Sequence, residues 1–189
     1  MYTEIRDGFI FRGGHVALDL TATLTGRREG APKEWLGNAK DLARWLKAAG
    51  METSEVSSEN VKTARDLREV IHRLVMTRID GAALDDTDRE RLNSLAREGA
   101  APELTGTGDA RWRGGPRSLL SSIAAEAVWI LGRERAPRLR QCHGEDCAIL
   151  FYDTSRAGER RWCSMTTCGN KAKAAGFRQR KVGTADETA

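Results

Sequence analysis

All four cysteines of the chain fall in one short segment, in the pattern Cys142-x4-Cys147-x15-Cys163-x4-Cys168. Two equal close pairs constrain this region more than any other feature of the sequence. Zinc takes four thiolates in a tetrahedron with Zn–S near ~2.3 Å, and structural sites are commonly built from two close pairs. Each pair closes a local loop, and the metal clips the two loops together. Four protein ligands leave no open position for water or substrate, so one structural zinc ion is expected on Cys142, Cys147, Cys163 and Cys168. An iron–sulfur cluster is the alternative occupant. A thioredoxin-like redox site needs Cys-x-x-Cys beside a βαβ unit, and neither is present. Disulfide frameworks belong to small secreted chains, whereas "MYTEIRDGFIFRGG" has no apolar signal-peptide core. No apolar run approaches the roughly 18 residues that span a membrane. A cytoplasmic protein with reduced thiols and no membrane partner is expected. His143 lies inside the first loop and is expected to face solvent.

Charge divides the chain in the same place. Residues 1–132 carry 19 Lys/Arg and 20 Asp/Glu, whereas residues 133–181 carry 12 and 5. The last eight residues add two acids. A basic C-terminal module on a near-neutral body points to a polyanionic partner.

The body reads as mainly helical. "DGFIFRGGH" is a short strand ending in a Gly-Gly turn, and "HVALDLTATL" fits either a strand or a helix. "GNAKDLARWLKAAG" is a helix capped by Asn38, with Leu42, Trp45 and Leu46 on its apolar face and Gly50 at its end. Val61, Ala64, Leu67, Ile71, Leu74 and Val75 recur at helical spacing over 59–79. A further helix starts at Asp85 or Asp86 and ends before Gly99. Gly106, Gly108 and Asp109 suit the turn of a small β-hairpin, and Pro116 opens an apolar helix stopped at Gly132. Trp129 and Ile130 on that helix are either core or a homodimer contact. The expected fold class is therefore α+β. A mainly helical domain (1–132) with a small hairpin is followed by a Cys-bearing module (133–181) and a disordered tail (182–189).

Between the cysteine pairs, "AILFYDTSRAGERRW" reads as strand, turn, strand, with Ile149 and Phe151 on one face. Gly169 and Asn170 permit a tight turn that aims amides at the sulfur. "KAKAAGFRQRK" is a basic helix. Knuckle, hairpin, knuckle, helix is the order of a treble-clef finger.

The stretch from Arg138 to Arg180 resembles the CGNR zinc finger. The resemblance rests on both cysteine pairs, Phe151 to Arg156, Arg161-Trp162-Cys163-Ser164-Met165 and Cys168-Gly169-Asn170. Lys171 stands where the naming tetrapeptide has Arg, which keeps the charge but loses the planar fork. Gly13-Gly14-His15, Ala17 to Leu20 and Thr23 resemble the ABATE domain, described as a stress-induced transcription regulator. Ala22 replaces that family's usual Asn. The resemblance implies a helix over Val16 to Leu24.

Three functions follow. As a DNA-binding regulator, the chain would present Arg156, Arg160, Arg161, Lys171, Lys173, Arg178, Arg180 and Lys181 to phosphates, with a small-molecule effector or a second copy bound by the helical domain. As an RNA- or protein-binding module, it would use Phe151, Tyr152, Trp162 or Phe177. An enzyme is not expected. His15, His72 and His143 are far apart in the sequence, and no phosphate-binding loop is present. His72 is expected at a helix surface or boundary. Asp19 sits among apolar residues and is expected to be buried and satisfied by a cap or an arginine.

Overall fold

Residues 4–28, 30, 32–132 and 134–183 are described by a computed structural model of the chain, residue 177 and residues 179–183 by their backbone. The tail expected at 182–189 lies outside the described residues from 184 onward.

The chain opens with a tight hairpin, β1 (Ile5–Arg6) against β2 (Phe9–Ile10). Asp7 and Gly8 turn it at φ of 47° and 82°, a left-handed pair that Asp and Gly tolerate best. Then come α1 (Val16–Thr21), β3 (Leu24–Thr25) and β4 (Lys33–Glu34). The resemblance predicted a helix to Leu24. It ends at Thr21, because Thr21 and Thr23 turn their hydroxyls back onto the carbonyls of Leu18 and Leu20 and Leu24 pairs with Glu34.

The helices follow the sequence closely. α2 (Ala39–Ala48) starts with a reciprocal cap between Asn38 and Asp41. β5 (Met51–Thr53) follows. α3 (Ser58–Ile79) carries the long apolar stripe and is capped by Ser57 and Asn60. α4 (Asp86–Leu95) is capped by the Asp85 carboxylate. The hairpin β6 (Pro102–Leu104) and β7 (Ala110–Gly114) forms as expected, and β5 adds to it in parallel, an edge that three residues gave no means of foreseeing. α5 (Pro116–Leu131) begins at Pro116 and ends at Gly132. Ile130 is buried, while Trp129 is half exposed with the Arg135 guanidinium over its ring.

α3 is the centre of the body, with α1, α2, α4 and α5 packed around it. Its stripe contains one charged member. Arg68 is 4% exposed and makes two hydrogen bonds to Glu34, at 2.7 and 2.8 Å, and one to Glu69 at 2.8 Å. Arg27 closes on Glu69 from the other side. No helix among the described residues is long and apolar enough to cross a membrane.

The C-terminal module contains β8 (Leu139–Gln141), β9 (Leu150–Tyr152), a π-helical turn (Met165–Gly169) and α6 (Asn170–Gly183). Here one expectation is corrected. β9 pairs with β8, upstream of the first cysteine, rather than with a strand before Cys163. The cause is Asp153. Its buried carboxylate accepts the amides of Ser155 and Arg160 at 2.8 Å each, which pulls the chain after β9 into a loop. The faces of β9 also divide. Ile149 and Phe151 pack with the cysteines, but Leu150, with Leu139, enters the core of the helical body.

Candidate metal centre and basic face

The hairpin β8–β9 brackets the first knuckle. Cys142 donates its amide to Ile149 O, which folds residues 142–147 into a loop. The second knuckle uses its four intervening residues for a π turn, in which Gly169 N reaches Ser164 O, five residues back. Ser164 caps this turn by accepting the Thr167 amide. The amides on sulfur come from Gly144 and Cys163, each 3.4 Å from Cys142 Sγ. Gly169 and Asn170, expected to permit a tight turn here, close it through Gly169 N on Ser164 O and the Asn170 side chain on Thr166 O.

Together these turns bring all four sulfurs within 4.8 Å of one another. Cys147–Cys163 and Cys163–Cys168 are both 3.7 Å. A tetrahedron with Zn–S of ~2.3 Å has S–S edges of about 3.8 Å. The donor set, its spacing and the inner amides therefore fit one zinc ion, held by Cys142, Cys147, Cys163 and Cys168. Sulfurs this close cannot all ionise alone. Hydrogen bonds from the Cys147 and Cys163 thiols hold Cys142 far below the usual thiol range. The Cys142 thiolate in turn pushes Cys147 up to about 12 and Cys163 higher still. A bound divalent cation reverses that conflict, because each coordinated thiol gives up its proton.

The surrounding shell uses arginines as staples. Arg160 donates to the carbonyls of Trp162 and Cys163 and stacks over Phe151. Arg138 reaches Ser155 O and Arg140 reaches Gly158 O, at 2.6 and 2.7 Å. Although burial pushes the Asp153 carboxyl up, hydrogen bonds from Ser155 and the Arg160 amide keep it below the usual range. Asp153 is the residue that sequence reasoning missed here. Its signal was the Asp-Thr-Ser turn directly after a strand.

The predicted phosphate contacts separate into groups. Arg156, Arg161, Lys171, Lys173 and Arg178 are exposed and form no ion pair among the described residues. Arg161 lies over Trp162, with its Nε 3.4 Å from His143 Nδ1. Arg160 is half-buried and engaged as above. The side chains of Arg180 and Lys181 lie outside the described residues, as does that of Phe177. His143 is exposed, as expected. Phe151 is buried and Trp162 packs on the cysteine cluster, so neither offers a free stacking face.

The finger is fastened to the body through the loop before α1. Tyr152 N donates to Gly13 O at 2.8 Å, and Gly13 N donates to the Asp19 carboxylate at 2.7 Å. Asp19 is fully buried, and it is only half satisfied: Oδ1 accepts the Gly13 amide, while Oδ2 meets no hydrogen-bond donor among the described residues. Burial raises its carboxyl to about 7, against the lowering effect of the Gly13 bond. A Cβ on Gly13 would stand 2.6 Å from Leu18 Cβ and 3.0 Å from Asp19 Oδ1, so only glycine fits. Further ties run from Ser164 Oγ to Glu4, Arg12 to Thr167, and Arg28 to Gly144 and Gln141. His15 bonds Glu126 at 2.9 Å, and its ring meets those of Trp129 and Tyr152 edge-on. His72 lies within α3, half-buried between core and surface, where burial lowers its pKa to about 4.

Comparison with known proteins agrees with both halves. No curated protein matches the sequence. The CGNR zinc finger matches residues 138–181. The ABATE family, described as "putative stress-induced transcription regulator", matches residues 14–134. That range is most of the chain, and the protein belongs to the ABATE family, with a CGNR zinc finger at its C-terminal end.

Proposed function

We propose that this zinc-binding regulator contacts duplex DNA through its finger and α6, while the helical body takes up an effector. One contrast carries this reading. Arginines of the body such as Arg44, Arg68, Arg73, Arg111 and Arg113 each meet a carboxylate. Arg156, Arg161, Lys171, Lys173 and Arg178 meet none among the described residues. Unpaired cations clustered on one module are what a phosphate backbone neutralises. The zinc's role is to hold α6 in place. With four protein ligands it offers no position for catalysis. Phe151 and Trp162 are spent on covering the cysteine cluster, which disfavours recognition of single-stranded RNA by base stacking on them.

The test is binding of the zinc-loaded full chain to an arbitrary duplex at about 50 mM salt. Dissociation constants of about 1–100 μM that weaken steeply with salt are expected. Zinc removal should abolish this binding. Absence of binding at low salt, or binding indifferent to salt, overturns the reading.

A further inference from the structure

A cleft of about 840 Å³ lies between the helical body and the finger. That is the size of a small-molecule site, which is typically apolar with a few convergent polar groups. The body contributes Ile10, Ala22, Leu24 and Trp35, and the finger closes it with Ile149 and the inner face of α6.

Three cations and two acids line this surface, with the hydroxyls of Thr21, Thr25 and Thr167 between them. Arg12, Lys171 and Arg178 line it, against Glu145 and Asp146 on the knuckle loop. Arg12 is the built element. Its side chain is 10% exposed and held between Glu4, 3.2 Å from its Nε, and the Thr167 hydroxyl on the finger, 3.1 Å from its Nη2. Its buried Nε has no aligned hydrogen-bond acceptor. A largely buried arginine beside an indole and aliphatic side chains suits a flat apolar group bearing one negative charge.

We infer that this cleft binds a small apolar monoanion, an aromatic carboxylate in chemical class, bridging the body and α6. The ligand engages Lys171 and Arg178, which the reading above also assigns to DNA. Ligand and DNA therefore compete for the same two cations, and occupancy of the cleft releases DNA. The site rests on the effector half of the proposed function and not on its DNA half.

Calorimetric titration of the zinc-loaded full chain with 2-naphthoate, without DNA, tests the site. One molecule per chain is expected, with 2-naphthalenemethanol binding at least about tenfold more weakly, the loss of one charged contact. Ala175→Leu and Ala172→Leu, which fill the α6 wall, should each weaken naphthoate binding by about tenfold or more while zinc content and melting temperature hold. Failure of naphthoate to bind at millimolar concentration overturns the site. So does equal binding of the neutral analogue, or indifference to both wall substitutions. In a separate titration, naphthoate should weaken duplex binding. If naphthoate binds the chain but leaves an established duplex affinity unchanged, the competition is overturned.

Discussion

The carbonyl of Gly13 accepts the amide of Tyr152 at 2.8 Å, and the amide of Gly13 is held by the buried carboxylate of Asp19 at 2.7 Å. One glycine thus connects the first strand after the zinc knuckle to the first helix of the body. The finger is consequently part of the same packed structure, with Leu139 and Leu150 both in the core of the body.

Gly13→Ala should destabilise the whole chain by about 1–3 kcal/mol, because its Cβ cannot be placed without moving Leu18 or Asp19. Urea denaturation followed by circular dichroism checks this. An unchanged midpoint would mean that the loop relaxes freely.

Zinc removal should lower the stability of the body as well as the finger. Structural zinc contributes on the order of 10 kcal/mol of apparent binding energy coupled to folding, and two finger leucines are core residues of the body. With zinc, thermal unfolding is expected as one transition. After chelation, that transition should move down as a unit. A separate low-temperature step, with the main one unmoved, would show two independent cores.

Arg68→Ala should cost about 2–3 kcal/mol, since Glu34 and Glu69 lose their buried partner while Arg65 and Arg27 still reach them. Arg89→Ala, which breaks an exposed pair with Asp86, should cost less than about 1 kcal/mol. Equal effects in denaturant titrations would refute the assignment of a structural network around Arg68.

Two buried groups give opposite pH trends. The folded pKa of Asp19 is raised from 3.8 to about 7. The unfolded chain then binds fewer protons at Asp19 between those values, and this contribution to stability falls as pH rises from about 4 to 7. His72 is lowered from 6.5 to about 4. Its contribution is complete above 6.5 and is lost as pH falls toward 4. Asp19→Asn, which keeps an acceptor for Gly13, should remove the first trend, and His72→Gln the second. Stability curves from pH 4 to 8 for each variant check the signs.

Much of this structure was legible in the sequence. Asn38, Asp85 and Pro116 marked helix starts because local capping chemistry decides them. The four cysteines announced the metal centre because their spacing alone closes two loops. What escaped were long-range choices. Arg68 falls on the stripe between Ala64 and Ile71, a charge at a core position that signalled a buried partner without naming Glu34. The run Ile149-Leu150-Phe151 is apolar on both faces, and this was the available sign that β9 is covered from both sides. The parallel pairing of β5 with β7 rests on three residues, too few for any periodicity to show.

Salt dependence of duplex binding tests the central claim most directly. Each phosphate neutralised by a cation adds about 0.9 to the slope of log affinity against log salt. The zinc-loaded protein is compared with its Lys171→Ala, Lys173→Ala, Arg178→Ala triple variant, both folded and carrying one zinc per chain. The predicted result is a slope shallower by about 2–3 in the variant, with weaker binding at every salt concentration. Identical slopes and affinities for the two proteins would contradict the assignment of α6 as the DNA-binding face.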